Sequence, residues 1–254
     1  MFTFFVFLLG IIFGSFANVV IYRVPRKLSI AHPPSACPFC GKRLSALELI
    51  PLFSWLFLRG KCRDCKGKIS ARYPLVELLC GVLFAAMEFF AGFVWLLLPL
   101  CIFAFVLLTI SFIDFDTQEI PDGLVITGAV AGVAWVVMGG IAWYTALLGM
   151  LAGALPLLVI DRITLLLLKK DGFGYGDVKL MAMVGLFIGW GAMLVAFFAA
   201  FAIGAAFAVY LMASGKVKRG AYIAFGPFLC VGSLVALWFG DGILGWYLSL
   251  LRPF

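Results

Sequence analysis

The sequence predicts an all-α polytopic membrane protein with about eight transmembrane helices and one small polar domain between the first and second of them. Three observations carry this. Hydrophobic residues make up 65% of the chain and charged residues 12%. The apolar runs repeatedly exceed the roughly 20 residues that a helix needs to cross hydrocarbon. They are continuous rather than alternating in segments of about ten residues, which excludes a transmembrane barrel.

A formal net charge of +7 is compatible with nucleic-acid binding, but the placement of the basic residues argues against it. Of the 19 Lys and Arg, 11 fall between Arg23 and Arg72. The others cluster from Arg162 to Lys170, at Lys179, from Lys216 to Arg219 and at Arg252. Such a bias in short loops beside apolar spans is the mark of cytoplasmic loops. The partner it implies is a lipid membrane and not nucleic acid.

The first span, residues 1–22, is followed rather than preceded by basic residues, which distinguishes a retained helix with an external N-terminus from a cleaved signal. Residues 23–72 change character to proline, glycine, basic residues and four cysteines. A segment of this size buries little core and commonly needs a metal or disulfides to hold it. Within it, Leu47 to Leu58 is apolar around Pro51 and Trp55, which suits a membrane-surface patch. Residues 73–254 carry further runs at about 74–91, 93–113, 122–140, 142–168, 178–192, 193–213 and 222–250, with the break at 192/193 marked only by Gly189-Trp190-Gly191. Eight crossings from an external N-terminus place the loops beginning near 23, 114, 169 and 214 on the cytoplasmic side. Gly128 with Gly132, Gly149 with Gly153, and Gly185 with Gly189 have the spacing of close helix packing. No internal repeat stands out.

Cys37-Pro38-Phe39-Cys40 and Cys62-Arg63-Asp64-Cys65 are two CxxC knuckles, each followed by glycine and lysine. Two such pairs complete a tetrahedral zinc shell, and using all four positions makes the site structural and zinc-ribbon-like. A cytoplasmic location disfavours disulfides, and no βαβ surroundings suggest a redox dithiol. Cys80, Cys101 and Cys230 lie in apolar runs as packing residues. His32 is the single histidine, which excludes a histidine-based triad or two-histidine metal site.

Two apolar runs meet carboxylates. One ends at Ile113-Asp114-Phe115-Asp116, and the other begins in Gly172-Phe173-Gly174-Tyr175-Gly176-Asp177-Val178-Lys179. An Asp buried in a membrane span costs about 2.5–3.5 kcal/mol on insertion scales, so such a residue points to function. Asp114 and Asp177 fall at one membrane face in the expected topology. Two aspartates about 3 Å apart share one proton: one carboxylate activates water while the other hydrogen-bonds the scissile carbonyl. Gly174 and Gly176 let the backbone bend and a substrate approach beside Asp177. Lys179 supports the loop or contacts substrate. Asp116, Glu119 and Asp122 read as solvated loop groups, with Asp122 suited to cap the next helix. Asp161-Arg162 reads as a paired couple within its span.

The ordered set Gly14-Ser15-Phe16-Ala17-Asn18 through Arg23-Val24-Pro25, both CxxC pairs, Arg72-Tyr73-Pro74-Leu75-Val76-Glu77-Leu78 and the two aspartate stretches resembles the type 4 prepilin leader peptidases, GxGD aspartyl proteases. That resemblance implies a multi-pass enzyme of the bacterial inner membrane, with Asp114 and Asp177 as its catalytic pair. It implies cleavage of the basic leader of type IV prepilins and pseudopilins at the cytoplasmic face. It also implies S-adenosylmethionine-dependent N-methylation of the exposed terminus, although the chain has no glycine-rich nucleotide fingerprint. Presenilin-like proteases share the GxGD pattern, but their C-terminal Pro-Ala-Leu-Pro is absent. A transporter with intramembrane carboxylates is the alternative from another class. The substrates, the pilus, secretion or uptake system served, and the oligomeric state are not encoded in any motif.

Overall fold

The structure, a computed structural model, describes residues 1–91, 94–169, 174–215 and 223–251. Lys170, Gly172, Phe173, the cluster from Lys216 to Arg219 and Arg252 lie outside them. The described residues are helical apart from turns and two isolated bridges. They divide into two compact units, Met1–Thr109 and Ile110–Phe254.

In the first unit, α1 (Phe2–Arg23) packs against α3 (Arg72–Ala91). Glycines set their approach. A Cβ at Gly14 would stand 2.6 Å from the Glu77 Cα, and one at Gly10 would stand 2.8 Å from the Cys80 carbonyl oxygen. Small residues permit such contact where apolar lipid offers helices no hydrophobic gain from associating. Between them lies the polar domain, with a short turn over Ala46–Leu49 and the five-residue α2 (Phe53–Phe57). The Leu47 to Leu58 stretch is thus too short in its helical parts to span, and it exposes Leu47, Phe53, Leu56 and Phe57. α4 (Val94–Thr117), with Pro99 inside it, runs along the chain from the first unit into the second.

The second unit is built around α7 (Tyr175–Ala213), whose 39 residues would extend about 58 Å if straight, nearly twice a bilayer's hydrocarbon. It is not straight. Gly189 takes φ 71° and ψ 178°, outside the helical region. The Met181 carbonyl and the Met193 Cε both crowd the place where a Cβ would sit on Gly153. A continuous helix would separate these residues by about 18 Å along its axis. The chain therefore folds back at Gly189 into two arms, 175–188 and 190–213.

Around the first arm pack α5 (Asp122–Val137) and α6 (Trp143–Leu168), and against the second packs α8 (Gly226–Leu251). α6 runs antiparallel to the first arm through Gly149 on Gly185 and Gly153 on Met181. α8 runs antiparallel to the second arm through Gly232 on Ala196 and Gly240 on Ala192. The apolar runs of the sequence thus appear as helical segments, with the expected break at 192/193 displaced to Gly189. Six described helices are long and apolar enough to cross a membrane, while the apolar α5 is shorter.

Candidate active site and metal centre

The four sulfurs of Cys37, Cys40, Cys62 and Cys65 lie within 4.8 Å of one another. Cys37 Sγ and Cys65 Sγ are 3.8 Å apart. That is the edge of a sulfur tetrahedron with metal–sulfur bonds of about 2.3 Å, so the donor set and its spacing fit a metal such as zinc. Backbone hydrogen bonds make the two knuckles equivalent. Cys37 N–H donates to the Lys42 carbonyl and Gly41 N–H to Cys37; Cys62 N–H donates to Gly67 and Lys66 N–H to Cys62. The bridge Ala36–Arg43 corresponds to Lys61–Lys68. An internal repeat is therefore present in the backbone, which corrects the expectation that none stands out; the shared CxxC, glycine and lysine are its trace in the residues.

After the second cysteine of each knuckle the chain turns left-handed, at Gly41 with φ 70° and at Lys66 with φ 59°. Backbone hydrogen bonds from Cys40 and then Phe39 lower the Cys37 thiol to about 7, which favours the thiolate that binds metal. A Lys42–Asp64 ion pair of 2.6 Å links the knuckles.

The carboxylates lie in the second unit. Asp114, three residues from the end of α4, is 5% exposed, and its Oδ2 accepts the Gly226 N–H at 2.9 Å. Gly226 opens α8, so Asp114 satisfies an amide that has no partner within that helix. A Cβ at Gly226 would stand 2.6 Å from the same oxygen, so only glycine allows the contact. Asp116 is exposed: two residues further along a helix, a side chain points to nearly the opposite side.

Asp177 is the third residue of α7, whose N-cap is Gly174. Its carboxylate accepts the Gly174 N–H, the reciprocal half of a capping box. Gly176 faces Ile120, where a Cβ would come within 2.9 Å of the Ile120 Cβ. The motif glycines thus have separate tasks: Gly174 supplies a cap, and Gly176 admits the loop that follows α4. Lys179 binds Asp122 at 2.8 Å, joining the starts of α7 and α5. Arg162 at the end of α6 donates to the Tyr175 hydroxyl at 2.6 Å. The N-cap of α5 is Pro121, which corrects the expectation for Asp122: that residue is the first of the helix, and its carboxylate is drawn outward to Lys179.

These constraints bring Asp114 and Asp177 within electrostatic reach of each other. Both also act on Cys230, whose buried thiol hydrogen-bonds Ser111. Ser111 stands one turn before Asp114, and Cys230 one turn after Gly226. Sequence reasoning took Cys230 as packing and passed over Ser111 and Gly226. A backbone donor leaves no side-chain signal, and the neighbours of a thiol are fixed only by tertiary structure.

A buried Asp114 and a half-buried Asp177 within electrostatic reach of each other, with a four-cysteine cluster in a chain of apolar helices, define a polytopic membrane protein that carries paired carboxylates and a candidate metal centre. The bacterial peptidase A24 N-terminal domain matches residues 8–90, and the type IV leader peptidase family matches residues 101–209. The chain belongs to the type IV leader peptidase family.

The prepilin leader peptidase/N-methyltransferase of Aeromonas hydrophila is 36% identical over 269 residues, covering 96% of this chain and 93% of its own. That of Bacillus subtilis is 36% identical over 245 residues, with 96% and 97% covered. The Myxococcus xanthus protein of the same name is 42% identical over 195 residues, 76% of this chain and 58% of that protein. No solved structure matches the chain.

Proposed function

We propose that this chain cleaves the basic leader from type IV prepilins and related pseudopilins and then methylates the exposed amino terminus. The observation that carries this is the convergence of Asp114 and Asp177, from two different helices, in a member of the leader peptidase family. A carboxylate pair sharing one proton supplies both halves of peptide hydrolysis. The ionised member draws a proton from water as it attacks the carbonyl carbon. The protonated member donates to the carbonyl oxygen; on collapse the member that took the water proton passes it to the leaving amine, and the other recovers its own from the tetrahedral hydroxyl. Gly226 and Gly174 each hold one carboxylate through a backbone amide, which fixes the pair without placing a competing side chain beside it. Gly174, Gly176 and Lys179 are the supporting loop.

The chain is organised as a first span over 1–22, a cytoplasmic four-cysteine domain over 23–72 and a membrane protease domain over 73–254. Cys37, Cys40, Cys62 and Cys65 hold zinc, which folds the domain and leaves no ligand position open for chemistry. S-adenosylmethionine supplies the methyl group. The catalytic pair works at the cytoplasmic face of the bacterial inner membrane, where a basic leader stays in water while the apolar part of the substrate enters lipid. A transporter would place its acids within spans, whereas this pair sits at the last turn of α4 and the first turn of α7.

Single Asp114→Asn and Asp177→Asn replacements test the assignment on a prepilin in detergent or lipid. Asn at 114 still offers Gly226 an acceptor, so the fold is retained. Each variant is expected to lose at least about a thousandfold in cleavage, as for groups that act as a unit. Full cleavage by either folded variant removes that residue from the pair.

A further inference from the structure

Residues 23–72 hold 11 Lys and Arg against two acids, Glu48 and Asp64, and within them Phe53-Ser54-Trp55-Leu56-Phe57 forms α2. Phe53, Leu56 and Phe57 have the spacing of one helical face, and all three are exposed, Phe57 at 84%. Large apolar side chains kept together in the open mark an interaction surface. We infer that this face of α2 is a foot seated in the lipid leaflet beside α1 and α3, with Arg59 and Lys61 holding anionic phospholipid headgroups at its edge.

Depth is the first ground for this. The Leu52 N–H, at the N-cap of α2, donates to Glu77 Oε2 at 2.8 Å, and the same carboxylate takes a hydrogen bond from Ser15 of α1. Ser15 precedes Arg23, where α1 ends and the basic residues begin, by about 12 Å along the helix axis. α2 therefore starts beside the spans rather than above them, at the level where Phe16 of α1 and Leu75 and Leu78 of α3 are also exposed. Amphipathic helices that lie in a membrane surface sink their apolar face about 5–10 Å into the boundary of headgroups and acyl chains, a comparable depth. Nor can the face turn inward. Trp55, on the other side of α2, is pinned by its indole N–H to the Ile69 carbonyl at 3.2 Å, and a Cβ at Gly60 would strike its ring at 2.9 Å. The chain bends sharply on both flanks, with Leu52 at φ 60° and Arg59 at φ 52°, which holds so short a helix in one orientation.

Charge is the second ground, and it selects an anionic leaflet. Arg59 and Lys61 follow α2 directly and are exposed. Both acids of the domain are engaged elsewhere: Glu48 accepts the Ser45 N–H at 2.9 Å and the Ser45 hydroxyl at 2.7 Å, and Asp64 pairs with Lys42 at 2.6 Å. A guanidinium and an ammonium beside an apolar insertion meet lipid phosphate while their neighbours enter hydrocarbon. Because α1 and α3 already anchor the domain, the foot adds no attachment; it fixes the height and tilt of the four-cysteine domain over the leaflet.

The test uses the full chain in nanodiscs of phosphatidylcholine with a minority of phosphatidylglycerol, with the photoreactive benzoylphenylalanine in place of Phe57. Mass spectrometry after irradiation identifies what covers the position, and an unchanged unfolding temperature in the disc shows that each protein is folded. Phospholipid is expected as the main adduct, with phosphatidylglycerol at least about threefold above its share of the disc. Arg59→Gln with Lys61→Gln, or about 1 M salt, is expected to return phosphatidylglycerol to that share while lipid is still captured. Capture of another residue of this chain, of a second copy or of an added prepilin in place of lipid overturns the foot. Phosphatidylglycerol at no more than its own share in the unsubstituted background overturns the anionic preference.

Discussion

Asp177 lies one residue beyond Gly176, and that neighbour sets how near the loop after α4 can come to α7. A Cβ at Gly176 would press on the Ile120 Cβ at 2.9 Å, and one at Gly226 on the Asp114 carboxylate at 2.6 Å. Neither neighbour can yield cheaply: Ile120 branches at Cβ, and Asp114 is hydrogen-bonded. Gly176→Ala and Gly226→Ala are therefore expected to cost about 1–3 kcal/mol each through overpacking. Cleavage should fall about tenfold or more with the protein still folded. Lys179→Gln breaks only an exposed ion pair, worth about 1 kcal/mol or less, so cleavage should stay within about fivefold of wild type. A kinetic comparison of the three variants decides whether close packing or charge does the positioning; a greater loss in Lys179→Gln would reverse that order. The cost of a carboxylate in an apolar run drew attention to the aspartates, but it was mainly the resemblance of their motifs to the leader peptidases that set Asp114 and Asp177 apart from neighbouring acids. Their supports left no such mark. The amide of Gly226 and the close approach of Ile120 are backbone and shape properties, which residue types do not encode.

Among the elements, the two knuckles illustrate what sequence can and cannot carry. CxxC spacing revealed the ligands because four thiols in two pairs have few other uses. The recurrence of CxxC, glycine and lysine marked only its ligands, because the rest of the repeat resides in hydrogen bonds between backbone groups. The left-handed position is a glycine in one knuckle and a lysine in the other. Zinc content should be about one per chain, and Cys37→Ser with Cys40→Ser should release it. The Cys37 thiol is lowered to about 7 while that of Cys65 in the same cluster is raised to about 11, so all four sulfurs are thiolates together only when a metal holds them. Metal retention against a fixed chelator should therefore hold at mildly alkaline pH and decline on acidification, with protons competing for the same sulfurs. Constant retention across that range would show that these thiols do not hold the metal. α7 presents the reverse case. Gly189-Trp190-Gly191 was the only mark of a break between two spans, expected at 192/193, and Gly189 alone reverses the chain, because φ 71° is open to glycine and strained for other residues. Gly189→Ala should lower thermal stability by several degrees, at a cost of about 1–2 kcal/mol.

At the scale of the molecule, bringing the two aspartates together depends on an even number of crossings between them, and α5 is the questionable crossing. Its 16 residues rise about 24 Å, short of the roughly 30 Å of hydrocarbon. The packing nevertheless requires it to cross. Asp122 at its start is bound to Lys179 in the first turns of α7, and Gly132 near its end lies against Leu186 and Phe187 near the far end of the first arm. α5 therefore runs parallel to that arm, and α6 returns antiparallel to it. The turn at residues 138–142 must then lie at the opposite face from Asp114 and Asp177, reached with the help of local bilayer thinning. Single cysteines at Glu119 and Met138, each scored as labelling above that of the parent chain because native Cys40 and Cys65 are exposed, test this with a membrane-impermeant thiol reagent. Glu119→Cys should label only in inverted vesicles and Met138→Cys only in right-side-out cells. Labelling of both positions from one side would mean that α5 does not cross. The aspartates could then converge only if α6 also failed to span, and the catalytic pair would have to be sought elsewhere in the chain.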